Sequence, residues 1–384
     1  MTVVKIGKGW FPEEPGGLNR YFYDCIHNLQ EAKIPIHGLV AGSSTINDTK
    51  SEYDFKVEAF SSVRQPLLRR LYGIRKTFNS SVNKHDISLV VSHFSLYTFP
   101  ILDQLHDLPL IIHFHGPWSL ESKEEGDNQA SAYAKNLIER ACYRKAEKFI
   151  VLSQAFKDIL HKQYKVPMDQ IYVVPGAVDL ERFKIQQSKQ KSRELLMWKS
   201  DRPTIFVVRR LAKRMGLENL IEAIAEVKHT YPDVLFKIAG KGPLKSQLER
   251  QIKDLDLNDQ VHLLGYVSDE KLPLMYRAAD FSVVPTVSLE GFGLIVIESL
   301  AAGTPVLATP IGGIPEILNP LSPDLLLESS NFKHIAEGIC EVLNGKRELP
   351  SAHVCESYVK DNFSWSQITE QLKIIYGSVT NMTF

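Results

Sequence analysis

Short apolar, β-rich runs alternate with stretches of amphipathic helical spacing almost from one end of this chain to the other. That alternation is the pattern of parallel sheets with helices on both faces, because a parallel crossover needs a helix and buries both sides of each strand. In the first series, Val3 to Ile6, Ile36 to Leu39, Leu89 to Ser92, Leu110 to Phe114, Phe149 to Leu152 and Ile171 to Val174 read as strands, with helices such as Leu18 to Ala32 and Ala155 to Gln163 between them. The pattern stops at KIQQSKQKSRELLMWKSDR, a polar, Lys-rich run that reads as a linker. It then resumes with Thr204 to Val208, Val234 to Ala239, Val261 to Leu264, Phe281 to Val284, Pro305 to Ala308 and Leu325 to Leu327. Helices are expected near Leu217 to Lys228, Leu244 to Leu255, Leu294 to Ala302 and Lys333 to Leu343. The fold class is α/β, with two doubly wound, Rossmann-like domains: residues 1–183, a linker over 184–202, and residues 203–357. The length of 384 residues fits two such domains. In the tail 358–384, Trp365, Ile368, Leu372 and Ile375 recur at helical spacing and are expected to pack back across the first domain. Ligands of such sheets bind at the carboxyl ends of the strands, so two of them facing each other place the site in the cleft between.

Composition narrows the function. Lys plus Arg and Asp plus Glu number 45 each, so bulk binding of nucleic acid is not expected. No stretch approaches the roughly 18 uninterrupted apolar residues of a spanning helix; even Gly293 to Ala308 is broken by Glu298, Gly303 and Pro305. The N-terminus reads as a core strand, too short for a secretory segment. The cysteines, Cys25, Cys142, Cys340 and Cys355, form no C-x-x-C pair and read as reduced thiols of a cytoplasmic protein.

The most informative segment is EGFGLIVIESLAAGTPVLA, Glu290 to Ala308, which follows a strand ending at Pro285 and opens a helix at Gly293. The N–H groups of Gly293, Leu294 and Ile295 lack intrahelical partners, and Gly293 allows close approach, so a diphosphate can sit at the positive end of the dipole. Eight residues separate Glu290 from Glu298, a little over two helical turns, so the two acids can hold opposite ends of one extended ligand. The plainer alternative is a buried helix with a Gly-rich start and two solvated acids. Gly16-Gly17, between the first strand and the helix near Leu18, offers a second place where backbone reaches a phosphate without a Cβ in the way. An ordinary tight turn would read the same.

These pieces together resemble the retaining glycosyltransferases of the GT-B fold, glycosyltransferase family four. The resemblance runs from residue 3 to about 376. It rests on Pro15-Gly16-Gly17, Phe114-His115-Gly116, Val174-Pro175 with Val178-Asp179, Arg210-Leu211 with Gly216, Gly240-x-Gly242-Pro243, Val261-x-Leu-Leu-Gly265, Ala279-Asp280, Glu290-x7-Glu298 and Gly312-Gly313 with Glu316. The resemblance implies that Glu298 binds the ribose hydroxyls and Glu290 the donor sugar, that the amides of 293 to 295 and the Gly16-Gly17 loop meet the phosphates, and that the Tyr266-Val267 backbone reads the base. It also places Gly240 and Phe292 in the donor site, puts His115 at the sugar near its 6-hydroxyl, and sets Lys8 and Trp10 on the acceptor side.

One departure matters. Family members carry an Arg and, five positions later, a Lys before Gly, both on the diphosphate. Here Arg210 matches, but the Lys position is Met215. Arg214, or less readily Lys213, can supply that charge from one or two positions earlier, since a guanidinium grips phosphate oxygens bidentately. The variant resembles those of bacterial envelope and exopolysaccharide transferases.

No metal or other cofactor is expected. His113 and His115 lie two apart on one strand face, half of a metal site with no third ligand evident, and Asp254-Leu255-Asp256 is a formal D-x-D at a solvated helix end. The resemblance implies a UDP-sugar donor, with glucose favoured, same-face attack with retention, and a saccharide or lipid-linked saccharide acceptor in polysaccharide biosynthesis. A nucleotide-sugar epimerase of the same architecture and a non-catalytic nucleotide-sugar-binding subunit remain as alternatives. Between Glu58 and Asp86, Arg64, Arg69, Arg70, Arg75, Lys76 and Lys84 accompany Leu67, Leu71, Ile74 and Phe78 at helical spacing, with no acid. Residues 64–84 thus form a basic amphipathic helix, which reads equally as core packing with a solvated face and as a peripheral contact with an anionic membrane at the inner face of the plasma membrane.

Overall fold

The computed structural model of the chain describes residues 2–43, 46, 56–198 and 201–380. It divides into two compact units, Met1–Ala177 with Trp365–Phe384, and Val178–Ser364.

In the first unit, β1 (Thr2–Gly9), β2 (Ile36–Ala41), β3 (Lys56–Ser61), β4 (Ile87–Ser92), β5 (Leu110–Phe114), β6 (Lys148–Val151) and β7 (Ile171–Val173) form one sheet in the order β3-β2-β1-β4-β5-β6-β7. Every pairing is parallel. Strand order reverses between β1 and β4, so the crevice a doubly wound sheet offers a ligand opens beyond Gly9 and Ser92. In the second unit, β8 (Thr204–Val208), β9 (Leu235–Ala239), β10 (Val261–Gly265), β11 (Phe281–Val284) and β12 (Val306–Ala308) are parallel in the order β10-β9-β8-β11-β12. Here the reversal falls between β8 and β11, which brings the loop after Val208 beside the loop after Val284. The two doubly wound parallel sheets are the GT-B class that the sequence implied.

Strands buried on both faces explain the apolar runs: Ile205, Phe206 and Val207 are wholly buried, as are Val90, Val91 and Ile111. Helices at the expected places cover them, including Gly17–Glu31, Gln154–Tyr164, Leu217–Thr230, Lys245–Asp254, Leu294–Ala301 and Phe332–Leu343. Among the described residues no helix is long and apolar enough to cross a membrane.

Several expectations meet a different structure. β3 was not foreseen, because KVEAFS is an edge strand whose polar outer positions leave a weak apolar signal. Leu325–Leu327 is not a strand. A 3₁₀ turn over Pro323–Leu325 leads into one isolated bridge between Leu326 and Ala308. The run 184–202 contains a helix, Lys189–Leu195, fixed to the second unit by the buried Arg193, whose Nη2 lies 2.7 Å from Asp280 and whose Nε donates to the Ala278 carbonyl. Residues 178–183 accordingly belong with the second unit, Val178 donating to the Phe363 carbonyl at 3.1 Å. Helix Ala352–Asn362 lies in the second unit as well, and the tail that returns to the first unit is Trp365–Thr380. Its Trp365, Ile368, Leu372, Ile375 and Tyr376 are buried; the remaining tail residues 381–384 lie outside the described residues.

Candidate active site

The reversal between β8 and β11 brings together a connected set of polar side chains. Arg209, the first residue after β8, is buried, and its Nη2 donates to both the Glu290 carboxylate and the Thr286 hydroxyl. Thr286 also donates to Glu290 Oε2 at 3.3 Å, and Thr309 donates to the Thr286 carbonyl at 2.6 Å. Gly313 N–H donates to the Glu290 carbonyl, and Gly312, at φ 60°, comes so close that a Cβ there would overlap that carbonyl. Glu290 is therefore held on its side chain by Arg209 and on its backbone by the Gly312-Gly313 turn.

Phe292 is buried and meets Phe363 edge-on at 5.7 Å. It anchors the loop in the core, which differs from the ligand-facing position expected for it. Gly293 caps the helix in a left-handed conformation, φ 101°, and the helix begins at Leu294. The N–H groups of Leu294 and Ile295 have no carbonyl one turn earlier, which leaves them for an anion. One turn on, Glu298 lies 3.8 Å from Arg182, whose other nitrogen is 3.1 Å from Asp269. Arg182 was not foreseen as a neighbour of this site.

The four cations after β8 separate sharply. Arg210 and Lys213 are exposed, Arg209 is buried, and Arg214 is half-buried with Nη1 donating to the Leu289 carbonyl at 2.9 Å. Val287 N–H donates in turn to the Arg214 carbonyl. The 209–214 loop is thus bonded at two points to the loop that carries Glu290. Met215, at the position where a Lys is usual, is buried, so no side-chain charge is available from there. Gly240 accepts the close approach of the Arg209 carbonyl at φ 148° and donates to the Gly265 carbonyl at 2.7 Å. Tyr266, next in sequence, is half-exposed under Lys241 Nζ, 5.3 Å from its ring centre, and Val267 follows it at the carboxyl end of β10. The D-x-D acids lie elsewhere: Asp256 is exposed and pairs with Lys228 at 3.0 Å.

In the first unit, Gly16 caps the first helix at φ 155°, and a Cβ on Gly16 or Gly17 would meet nothing. Open space in front of a helix start is what a phosphate needs. His115 ends the run after β5 and is half-buried. The third histidine that the sequence did not supply is His93, just after β4: its Nδ1 is 2.9 Å from His115 Nε2. His93 and His113 stack at 4.3 Å with 16° between their planes, and His115 lies 24° from His93. The ring nitrogens of the three come within 4.8 Å of one another. In this arrangement His93 Nδ1 and His115 Nε2 are turned to each other and His113 Nε2 to the Tyr376 hydroxyl. Burial, with the charge of Lys5, holds His115 down to about 3 and the other two well below the usual imidazole range. The arrangement is a stack of uncharged rings.

Nearby, a cavity of about 360 Å³ opens at the carboxyl ends of β1 to β3 and is lined by Glu13, Glu14, Ser43, Ser62 and Arg64. Lys8 pairs with Glu14 at 3.0 Å. Trp10 packs instead into an aromatic cluster with Phe22, Tyr23 and His27.

Two family models together cover nearly the whole chain: Glycosyltransferase Family 4 over residues 15–182 and Glycosyl transferases group 1 over residues 188–361. The chain belongs to the group 1, family-four glycosyltransferases. Among its relatives, an uncharacterized glycosyltransferase of Methanocaldococcus jannaschii is 29% identical over 61% of this chain and 60% of its own length. A GDP-mannose-dependent alpha-(1-6)-phosphatidylinositol monomannoside mannosyltransferase of Mycobacterium tuberculosis is 24% identical over 54% and 55%. The matched region thus spans less than two thirds of these relatives. Among solved structures, sucrose-phosphate synthase of Thermosynechococcus elongatus superposes with TM-score 0.83 at 21% identity, covering 98% of each chain. Anabaena HepE in complex with UDP-glucose superposes at 0.79 and 19%, covering 98% of this chain and 100% of that one. For this glycosyltransferase those likenesses establish the GT-B fold.

Proposed function

We propose that this glycosyltransferase moves a hexose, glucose first, from a UDP-sugar to a saccharide or lipid-linked saccharide acceptor, with retention and without a metal. The observation that carries the reading is the fixed Glu290, set by Arg209 three residues before the Gly293 helix start, with Glu298 one turn beyond. In this reading Glu298 takes the ribose, Leu294 and Ile295 N–H the diphosphate, Glu290 the sugar hydroxyls, and the Tyr266-Val267 backbone the base. In the first unit, His115 is the residue proposed for the sugar ring and Gly16-Gly17 the backbone proposed for a phosphate. HepE, bound to UDP-glucose, supports uracil and glucose; the GDP-mannose-dependent relatives make guanine the competing base.

The bond from the anomeric carbon to the phosphate oxygen breaks with its electron pair leaving on the diphosphate. The acceptor oxygen bonds the same face of that carbon and gives its proton to the departing phosphate. Arg210, Arg214, Lys213 and the helix start stabilise the growing negative charge, a contribution of several kcal/mol for preorganised donors of this kind. Glu290 is then a sugar-binding residue and not a nucleophile. Proton NMR of the first-formed product tests the mechanism: an α-linked product from an α-linked donor, formed at full rate in EDTA, is expected, and an inverted product or loss of activity in EDTA contradicts it.

The acceptor is proposed to lie at a membrane surface. Helix Leu67–Lys84 buries Ile74 and Phe78 in the core and packs Leu71 against it, which accounts for most of its apolar stripe. Leu67, Leu68 and Tyr72 are exposed beside Arg64, Arg69 and Lys76, whereas Arg70 bonds Tyr97 and Arg75 pairs with Asp103. Apolar side chains among cations suit an anionic interface. Flotation with phosphatidylglycerol vesicles and not with phosphatidylcholine vesicles is expected; equal recovery with both would remove this part.

A further inference from the structure

We infer that Lys5 and Tyr376 are positioning residues for His115, fixing a set of three packed imidazoles whose outer ring stands at the carboxyl end of β5. The inference deepens the proposed function, since it rests on the reading that His115 contacts the donor sugar. Lys5 points from β1 into the interior and is wholly buried. Its Nζ donates to Cys25 Sγ and to the Tyr376 hydroxyl, both at 3.1 Å. The Tyr376 hydroxyl is also hydrogen-bonded to His113 Nε2 at 3.2 Å, with the tautomer of His113 setting which of the two donates. His113 stacks on His93, and His93 is hydrogen-bonded to His115. One line of contacts therefore runs from the last helix of the chain to His115.

The groups that face this stack are Lys5 from β1, Tyr21 and Cys25 from the first helix, and Tyr376 from the last, with Trp365 packed against Tyr21 at 5.5 Å. None of them is a carboxylate. An imidazolium formed in the stack would meet the Lys5 charge with no carboxylate facing it among the described residues. Burial and the Lys5 charge push all three imidazoles down in the same direction. A neutral ring keeps its lone pair and its single N–H in fixed positions, which is what repeated hydrogen bonding to a sugar hydroxyl needs.

The test uses the full chain labelled with ¹³C at histidine Cε1 and free of ligand. In the native protein the three ring signals are expected not to titrate down to about pH 5, whereas in Lys5→Met at least one is expected to titrate between about pH 5 and 7. With donor added, K5M is expected to lose on the order of tenfold to a hundredfold in kcat, with KM for the donor little changed. Its pH profile should gain an acid limb in the same range. Superimposable titrations and pH profiles for the two proteins would overturn the inference. Tyr376→Phe removes one oxygen and keeps the ring, so it serves if K5M does not fold. Unchanged kcat together with unchanged histidine signals in Y376F would equally overturn it. Unaltered turnover in His115→Ala would sink the sugar contact itself, and with it the role of Lys5 and Tyr376 in turnover, whatever the titrations show.

Discussion

The buried Arg209 and the partly buried Glu290 form an ion pair that joins the end of β8 to the loop after β11, with Thr286 bonded to both. The two residues are 81 apart in sequence and meet because β8 and β11 are neighbours at the reversal of strand order. Removing one partner of such a pair strands a charge inside the protein, at a cost of about 3 kcal/mol or more. Arg209→Ala should therefore lower Tm by roughly 6 °C or more and abolish turnover. Glu290→Gln, which keeps a hydrogen-bond acceptor, should lose turnover with a smaller fall in Tm. Calorimetry and a donor-hydrolysis assay on the two variants check this; an active, stable R209A would refute the role assigned to the pair.

Which of four neighbouring cations would be buried was not legible in RRLAKR. Adjacent strand residues point to opposite faces, but both faces of a parallel sheet are buried, so hydrophobic alternation does not tell Arg209 from Arg210. The helix start at Gly293, the E-x7-E spacing and the two-sheet organisation were legible because each is local or periodic. His93 was hidden for a different reason. It becomes a partner of His113 and His115 only once β4 and β5 are known to be adjacent, and two histidines at the ends of neighbouring strands are the signal that could have found it. Tyr376 reaches Lys5 across 371 positions, and only the return of the last helix onto the first unit reveals it. Phe292, beside two glycines of the motif, looked like a ligand contact and proves to be a core anchor.

The histidine stack makes stability depend on pH in one direction. Each folded-state pKa is depressed, so below about pH 6.5 the unfolded chain binds protons that the folded protein refuses. The stabilisation is complete above that value and is lost as pH falls toward the folded value, about 3 for His115. The expected loss approaches 1.4 kcal/mol per pH unit for each imidazole. Tm should fall between pH 7.5 and 5, and fall less steeply in His93→Phe; parallel curves would contradict the uncharged stack.

Arg210, Lys213 and Arg214 share the proposed diphosphate site, and Met215 does not. Arg210→Gln and Arg214→Gln should each weaken UDP binding on the order of tenfold to a hundredfold, the usual scale of a charge-assisted contact. Lys213→Gln should do so less, and Met215→Leu should leave binding unchanged. Calorimetric titration with UDP measures all four. Wild-type affinity in R210Q, K213Q and R214Q alike would move the diphosphate elsewhere.

Gly312 offers a purely steric check. Its φ of 60° and its contact with the Glu290 carbonyl leave no room for a methyl group, so Gly312→Ala should shift the Glu290 loop and weaken donor binding while the first unit melts as before. Unchanged UDP-sugar affinity would contradict the backbone clamp on Glu290.

The most direct measurement is calorimetric binding of UDP, GDP, ADP, UDP-glucose, UDP-N-acetylglucosamine and GDP-mannose in EDTA, followed by hydrolysis of whichever sugar nucleotide binds. Saturable binding of UDP and UDP-glucose, slow release of glucose, and loss of both in Glu298→Ala are expected. Tight binding of GDP-mannose alone would contradict the donor assignment, and the absence of binding by any of the six would contradict the site drawn around Arg209, Glu290 and Gly293.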